Sequence, residues 1–141
     1  MEKTTDELLK ILKSSKSYTD FFQHEYEQLN FSSIAEYLEI LLNEKGLKKS
    51  DVIQKSNLDK NYAYQIFNGN KTNPSRNKII MLALGMGLNI DETKKLLKIC
   101  CLSELYVKSA RDSIILFCLE NKKDIITVNE MLDEKGLELL E

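Results

Sequence analysis

DKNYAYQIFNGNKTNP, residues Asp59 to Pro74, is the stretch on which the reading of the whole chain turns. It predicts a short helix with polar tips, closed by Asn-Gly and stopped at Pro74. Asp59 is placed to cap the first turn through its side-chain oxygen. Ala63 and Ile66 stand three apart and share one face. Lys60, Asn61, Tyr64 and Gln65 fall mostly on the other side. Asn68 and Gly69 end the helix, and Asn70 and Lys71 extend the polar surface. A helix tipped in this way can touch phosphates and base edges. Asn and Gln match adenine in the major groove, and Lys matches guanine or a phosphate. A solvated helix with a glycine cap fits the same letters.

The charge around this stretch is uneven. The formal net charge of the 141 residues is −2. Residues 1–44 carry a net −5, residues 45–80 a net +6 and residues 81–141 a net −3. Positive charge therefore gathers about the short helix, where it can steer a polyanion despite the negative total. It could equally balance acidic helices next door or meet a protein.

Composition points to an all-helical chain. There is one proline, Pro74, and there are five glycines, among many Leu, Ile, Lys and Glu residues. The hydrophobic fraction of 43 % is enough for a core. No segment approaches the ~20 apolar residues of a membrane span, and the opening MEKTTDELL does not read as a signal peptide. Three cysteines, Cys100, Cys101 and Cys118, lack metal-ligand spacing and fit a reducing cytoplasm, as small buried residues in helices. His24 is the single histidine and has no partner for a metal. Neither a Gly-rich phosphate loop nor a nucleophile elbow is present. Acidic pairs such as Asp91-Glu92 and Asp133-Glu134 are adjacent, so they face different ways on a helix. The expectation is a protein without enzyme activity, metal or cofactor.

Outward from the central stretch, further helices follow. Thr4 to Ser14 opens with capping-box spacing, Thr4-x-x-Glu7, and has Leu8, Leu9, Ile11 and Leu12 on its apolar side. Thr19 to Leu29 carries Phe21, Phe22 and Tyr26, placed to pack. Ser33-x-x-Glu36 starts a third helix, which buries Ile34, Leu38, Leu41 and Leu42 and stops at Gly46. Ser50 to Ser56 is short, with Val52 and Ile53 apolar. From Pro74 or Ser75, a nearly all-apolar helix through Ile79, Ile80, Leu82, Ala83 and Leu84 ends at Gly85 and Gly87. Asn89-x-x-Glu92 starts another, residues 106–120 make the next, and Thr127-x-x-Glu130 opens the last.

The last four helices repeat. RNKIIMLALGMGLNIDETKKLLKICCLSEL, from Arg76, matches RDSIILFCLENKKDIITVNEMLDEKGLELL, from Arg111, at a shift of 35 residues. Both arginines and both Ile-Ile pairs coincide. The unit reads as a helical hairpin stacked on a copy of itself, each copy burying the face the other cannot.

With these motifs in place, residues 34–93 resemble the phage-repressor (Xre) type of helix-turn-helix domain. The resemblance covers about 60 of the 141 residues, and residues 102–140 resemble the C-terminal tails of small repressor-like proteins. It implies a five-helix repressor-like bundle at residues 32–101, flanked by N-terminal helices (1–31) and a C-terminal helical hairpin (102–141). Residues 50–56 would be the supporting helix and 60–67 the recognition helix. Lys60, Asn61, Tyr64 and Gln65 would contact bases, and Lys49, Ser50, Asn68, Asn70, Lys71 and Arg76 phosphates. The implied function is a sequence-specific, cytoplasmic DNA-binding regulator of the repressor type. Its partners would be double-stranded DNA and a second copy of itself. Three positions depart from the family pattern: Ile53 stands for Ala, Asn57 for the Gly of the turn, and Phe67 for Glu. Fold is not function, so the alternative is a protein-interaction adaptor, with a partner held by the C-terminal hairpin.

Overall fold

The computed structural model describes residues 3–25 and 33–141, and of residues 22–25 the backbone alone. Among the described residues the protein is all α, with nine helices and no strand. The chain divides into two compact units, residues 1–31 and 32–141. No helix among the described residues is long and apolar enough to cross a membrane.

The first unit holds α1 (Thr5–Ser14) and α2 (Tyr18–Glu25). Thr4 caps α1 as its spacing requires, its Oγ1 accepting from Glu7 N–H at 3.2 Å. On the apolar side of α1, Leu8 and Ile11 are half-buried while Leu9 and Leu12 are exposed. Phe21 is buried, its ring centroid 6.0 Å from that of Tyr18. The side chains of Phe22 and His24, and all of Tyr26, lie outside the described residues.

The second unit holds α3 (Ile34–Lys45), α4 (Lys49–Ser56), α5 (Lys60–Phe67), α6 (Arg76–Met86), α7 (Ile90–Ile99), α8 (Ala110–Glu120) and α9 (Ile125–Glu134). Its centre is α6, in which every residue from Ile79 to Met86 is buried. Such a helix needs neighbours all round; α4, α7 and α9 supply them. Gly85 was expected to end α6 but lies inside it. A Cβ at Gly85 would fall 2.8 Å from Ser56 Cβ and from Ser56 N, so the missing side chain lets α4 lie against α6. The stop is Gly87, in the left-handed region at φ 66°. On the other flank, α3 buries Ile34, Leu38, Leu41 and Leu42, with Tyr37 added, against α5 and α7. Its C-terminus is tied to α7 by Lys45 Nζ, 3.0 Å from Glu92 Oε1. Glu92 also closes a capping box with Asn89, at 2.9 and 2.7 Å.

The 35-residue repeat is present in three dimensions. Helices α7 and α9 start 35 residues apart, and α8 starts one residue early in that register. Left-handed residues recur at Gly87 and Lys122, and again at Cys101 and Gly136. The closing bonds recur as well: Leu88 N–H to Ala83 O is matched by Lys123 N–H to Cys118 O, and Leu102 N–H to Leu97 O by Leu137 N–H to Leu132 O. Arg76 Nε donates to Ser103 O at 3.0 Å, and Arg111 Nε to Glu138 O at 2.8 Å. The halves are not stacked as successive steps of a solenoid, however. Arg76 of the first half reaches forward to Asp112, and Arg111 of the second reaches back to Asn77. Helix α6 touches α9 as α7 touches α8. Reciprocal contacts of this kind are those of a local two-fold axis.

Three expectations need correction. Helix α8 begins at Ala110 rather than 106, because Ser109 takes the cap, accepting from Asp112 N–H at 3.2 Å. Asp124, not Thr127, caps α9, accepting from Thr127 N–H at 2.9 Å. Cys100 and Cys118 are buried, but Cys101 is exposed and sits at φ 57° beyond the end of α7.

Candidate nucleic-acid interface

The candidate interface is built from α4, the turn Asn57-Leu58-Asp59, α5 and the loop to Pro74. Asn57 ends α4 in the left-handed region at φ 57°, which asparagine tolerates better than most residues. Leu58 is buried beneath the turn. Asp59 starts α5, its Oδ2 accepting from Tyr62 N–H at 3.0 Å. Ala63, Ile66 and Phe67 then bury one face against α3. The helical period places Lys60, Asn61 and Gln65 outside, and all three are exposed. Tyr64 is half-buried. With Ser50, Gln54 and Lys60 it rims a hollow of about 330 Å³ backed by Ile53 and Leu58.

The expected phosphate residues do not all share this surface. Asn68 and Asn70 are exposed, and Asn68 Oδ1 accepts from Asn70 N–H at 3.1 Å, which shapes the loop. Lys71 N–H donates to Gln65 O at 2.9 Å, so the loop folds back on α5. Ser50 is exposed on the first turn of α4. Lys49 is half-buried; its Nζ lies 5.4 Å from the centroid of Phe67 and 4.0 Å from Glu39 Oε2. Phe67 itself is buried and belongs to the core.

Arg76 points the other way. Its Nη1 and Nη2 grip Asp112 Oδ1 and Oδ2 at 3.1 and 2.9 Å, and its remaining bonds go to Ser103 O and Glu104 O. A guanidinium occupied by a planar two-point carboxylate pair and two carbonyls has little left for a phosphate. Burial pushes the Asp112 carboxyl up. The hydrogen bonds from Arg76 and from Tyr106 N–H, with the charges of Arg76 and Arg111, outweigh it and hold the group below the usual carboxylate value.

No model of a known protein family, no curated protein and no solved structure matches this chain. The reading of the surface therefore rests on its own geometry.

Two residues of that geometry were not singled out from the sequence. Tyr62 is half-buried on the flank of α5, packed against the core, and Lys78 on the first turn of α6 reaches toward its ring. The signal was available for Tyr62, since it stands three residues before Gln65, about one turn away. For Lys78 it was not, because nothing local says that the start of α6 returns to α5.

Proposed function

We propose that this protein is a sequence-specific DNA-binding transcriptional regulator of the repressor type, working in the cytoplasm. The domain at residues 32–101 is read as a helix-turn-helix bundle of the phage-repressor kind, with α4 supporting and α5 recognising. The observation that carries the reading is the placement of α5. Its apolar face is locked into the core, while Lys60, Asn61 and Gln65 stand together outside beside the lysine-bearing loop. Polar ends of that type read base edges, and the surrounding lysines hold phosphates. Lys49, Ser50, Asn68, Asn70 and Lys71 remain as phosphate residues; Arg76 does not, for the geometric reason above.

The test is a duplex carrying the promoter region of its own gene, titrated at about 50 and 200 mM salt. Affinity should fall steeply between the two, because lysines displace counterions. Gln65→Ala should lose about 1–3 kcal/mol of discrimination at one base pair. No binding at the lower salt would reject the reading.

A second reading, an adaptor that binds protein, is favoured by one feature. Phe117 on α8 is 52 % exposed, while its repeat equivalent on α6, Leu82, is 0 % exposed. The neighbouring part of α6 lies against α4 at Gly85 and Ser56, whereas among the described residues the main neighbours of α8 are α9 and α7. A partner captured from native cells through this face, with DNA competing for nothing, would favour the adaptor.

A further inference from the structure

Two ammonium groups converge on one aromatic ring. Lys71 Nζ, from the loop after α5, lies 5.4 Å from the centroid of Tyr62. Lys78 Nζ, from the first turn of α6, lies 5.9 Å from the same centroid. Like charges would otherwise spread apart in water. The electron-rich ring attracts each of them. The roots of all three residues are fixed. Tyr62 N–H is held by Asp59, Lys71 N–H donates to Gln65 O at 2.9 Å, and Lys78 N–H to Ser75 Oγ at 3.4 Å. Among the described residues, neither lysine takes part in an ion pair.

We propose that Tyr62, Lys71 and Lys78 form a phosphate clamp that seats a phosphodiester of the duplex read by Asn61 and Gln65. The inference rests on the DNA reading above. A phosphodiester is the natural complement, since it spreads its charge over oxygens that two ammonium groups can share. The clamp lies beside Gln65, because Tyr62 precedes it by about one turn. Tyr62 is a positioning residue. It gathers the two flexible side chains before binding, so less of their freedom is lost when the phosphate arrives.

The experiment compares wild type with Lys71→Ala, Lys78→Ala, Tyr62→Leu and Tyr62→Phe on the promoter duplex at two salt concentrations, with thermal melting run beside it. Lys78→Ala should lower the salt slope by about 0.9 and weaken all sequences alike. Tyr62→Leu keeps an apolar body without the ring; it should weaken binding about fivefold, with base preference unchanged. Tyr62→Phe should restore the affinity. In a Lys71→Ala, Lys78→Ala background, Tyr62→Leu should change nothing more. If wild type binds but Lys78→Ala keeps the full slope, the clamp is wrong and the DNA reading stands. The same holds if Tyr62→Leu binds as tightly as wild type, or costs as much without the lysines. If Tyr62→Leu fails to fold, the Lys78→Ala slope decides alone. If wild type binds no duplex, both readings fall.

Discussion

Asp112 is a buried carboxylate whose pKa is nevertheless held below the ordinary value. Arg76 grips both oxygens, Tyr106 N–H donates to Oδ2 at 3.0 Å, and Ser109 holds the residue's own N–H. The folded pKa is lowered, so the stabilisation is present above the ordinary value of 3.8 and is lost as pH falls through the lower folded value. Asp112→Asn should therefore cost about 3 kcal/mol at neutral pH, because it leaves a part-buried guanidinium without its counter-charge. The gap between wild type and variant should stay level down to about pH 4 and then shrink. Urea unfolding across that range measures it, and a gap that persists undiminished at pH 2 would show that charge is not the cause. Arg76 sits inside the basic block, which is what suggests a phosphate contact, yet its bonds go to Asp112, Ser103 and Glu104. The clue lay in the repeat: its counterpart Arg111 stands where no basic block exists, and both clamp carbonyls 27 and 28 residues ahead.

Helices were legible where a cap and an apolar period agreed. Thr4, Ser33 and Asn89 each accept the bond their spacing implies. The ends failed where two signals competed. Leu105, Tyr106 and Val107 are apolar but are separated from the run that begins at Ile114, and the cap at Ser109 sets the start of α8. Asp124 and Thr127 both offer a cap three residues before a suitable N–H, and the repeat, which sets Asp124 over Asn89, would have chosen between them. Gly85 misled for a different reason: a glycine that permits close helix contact has the same letter as one that ends a helix. The repeat also exposes an inequality in backbone strain. The turn after α9 uses Gly136 at φ 67°, and the matching turn after α7 uses Cys101 at φ 57°. A side chain in that region strains the backbone, and Cys101 is exposed, so nothing in the core depends on it. Cys101→Gly should therefore raise stability by about 0.5–1 kcal/mol. Gly136→Ala should lower it by a similar amount. Chemical denaturation of both variants checks the pair, and a destabilised Cys101→Gly would mean that the thiol has a role in the turn.

At the scale of the molecule, the exposed Phe117 of α8 and the proposed recognition helix α5 bear on one property. A single recognition helix covers only a few base pairs, so a repressor-type reader gains from a second copy whose half-site lies ~34–36 Å away. We expect a homodimer formed mainly by residues 102–140, and the structure narrows where to look. Exposed apolar residues in this part are Tyr106, Val107, Phe117 and Ile126, the last 69 % exposed. Phe117 matches Leu82 of α6, the helix on which α4 packs, and a second copy would cover it in the same way. The competing expectation, that these residues are all buried on the rest of the chain, fits Ile115, Cys118, Val128 and Leu132 but not Phe117 or Ile126. Sedimentation velocity over a range of micromolar concentrations separates the cases. A single species near 16.3 kDa throughout would reject the dimer. If a species of twice that mass is present, Phe117→Asp should return it to monomer with little change in the stability of the fold, because an exposed side chain contributes little to the core. The same variant should bind a duplex with two half-sites more weakly than wild type does, yet bind a single half-site as before. Weakening on both duplexes alike would instead place Phe117 in the fold of the reading head.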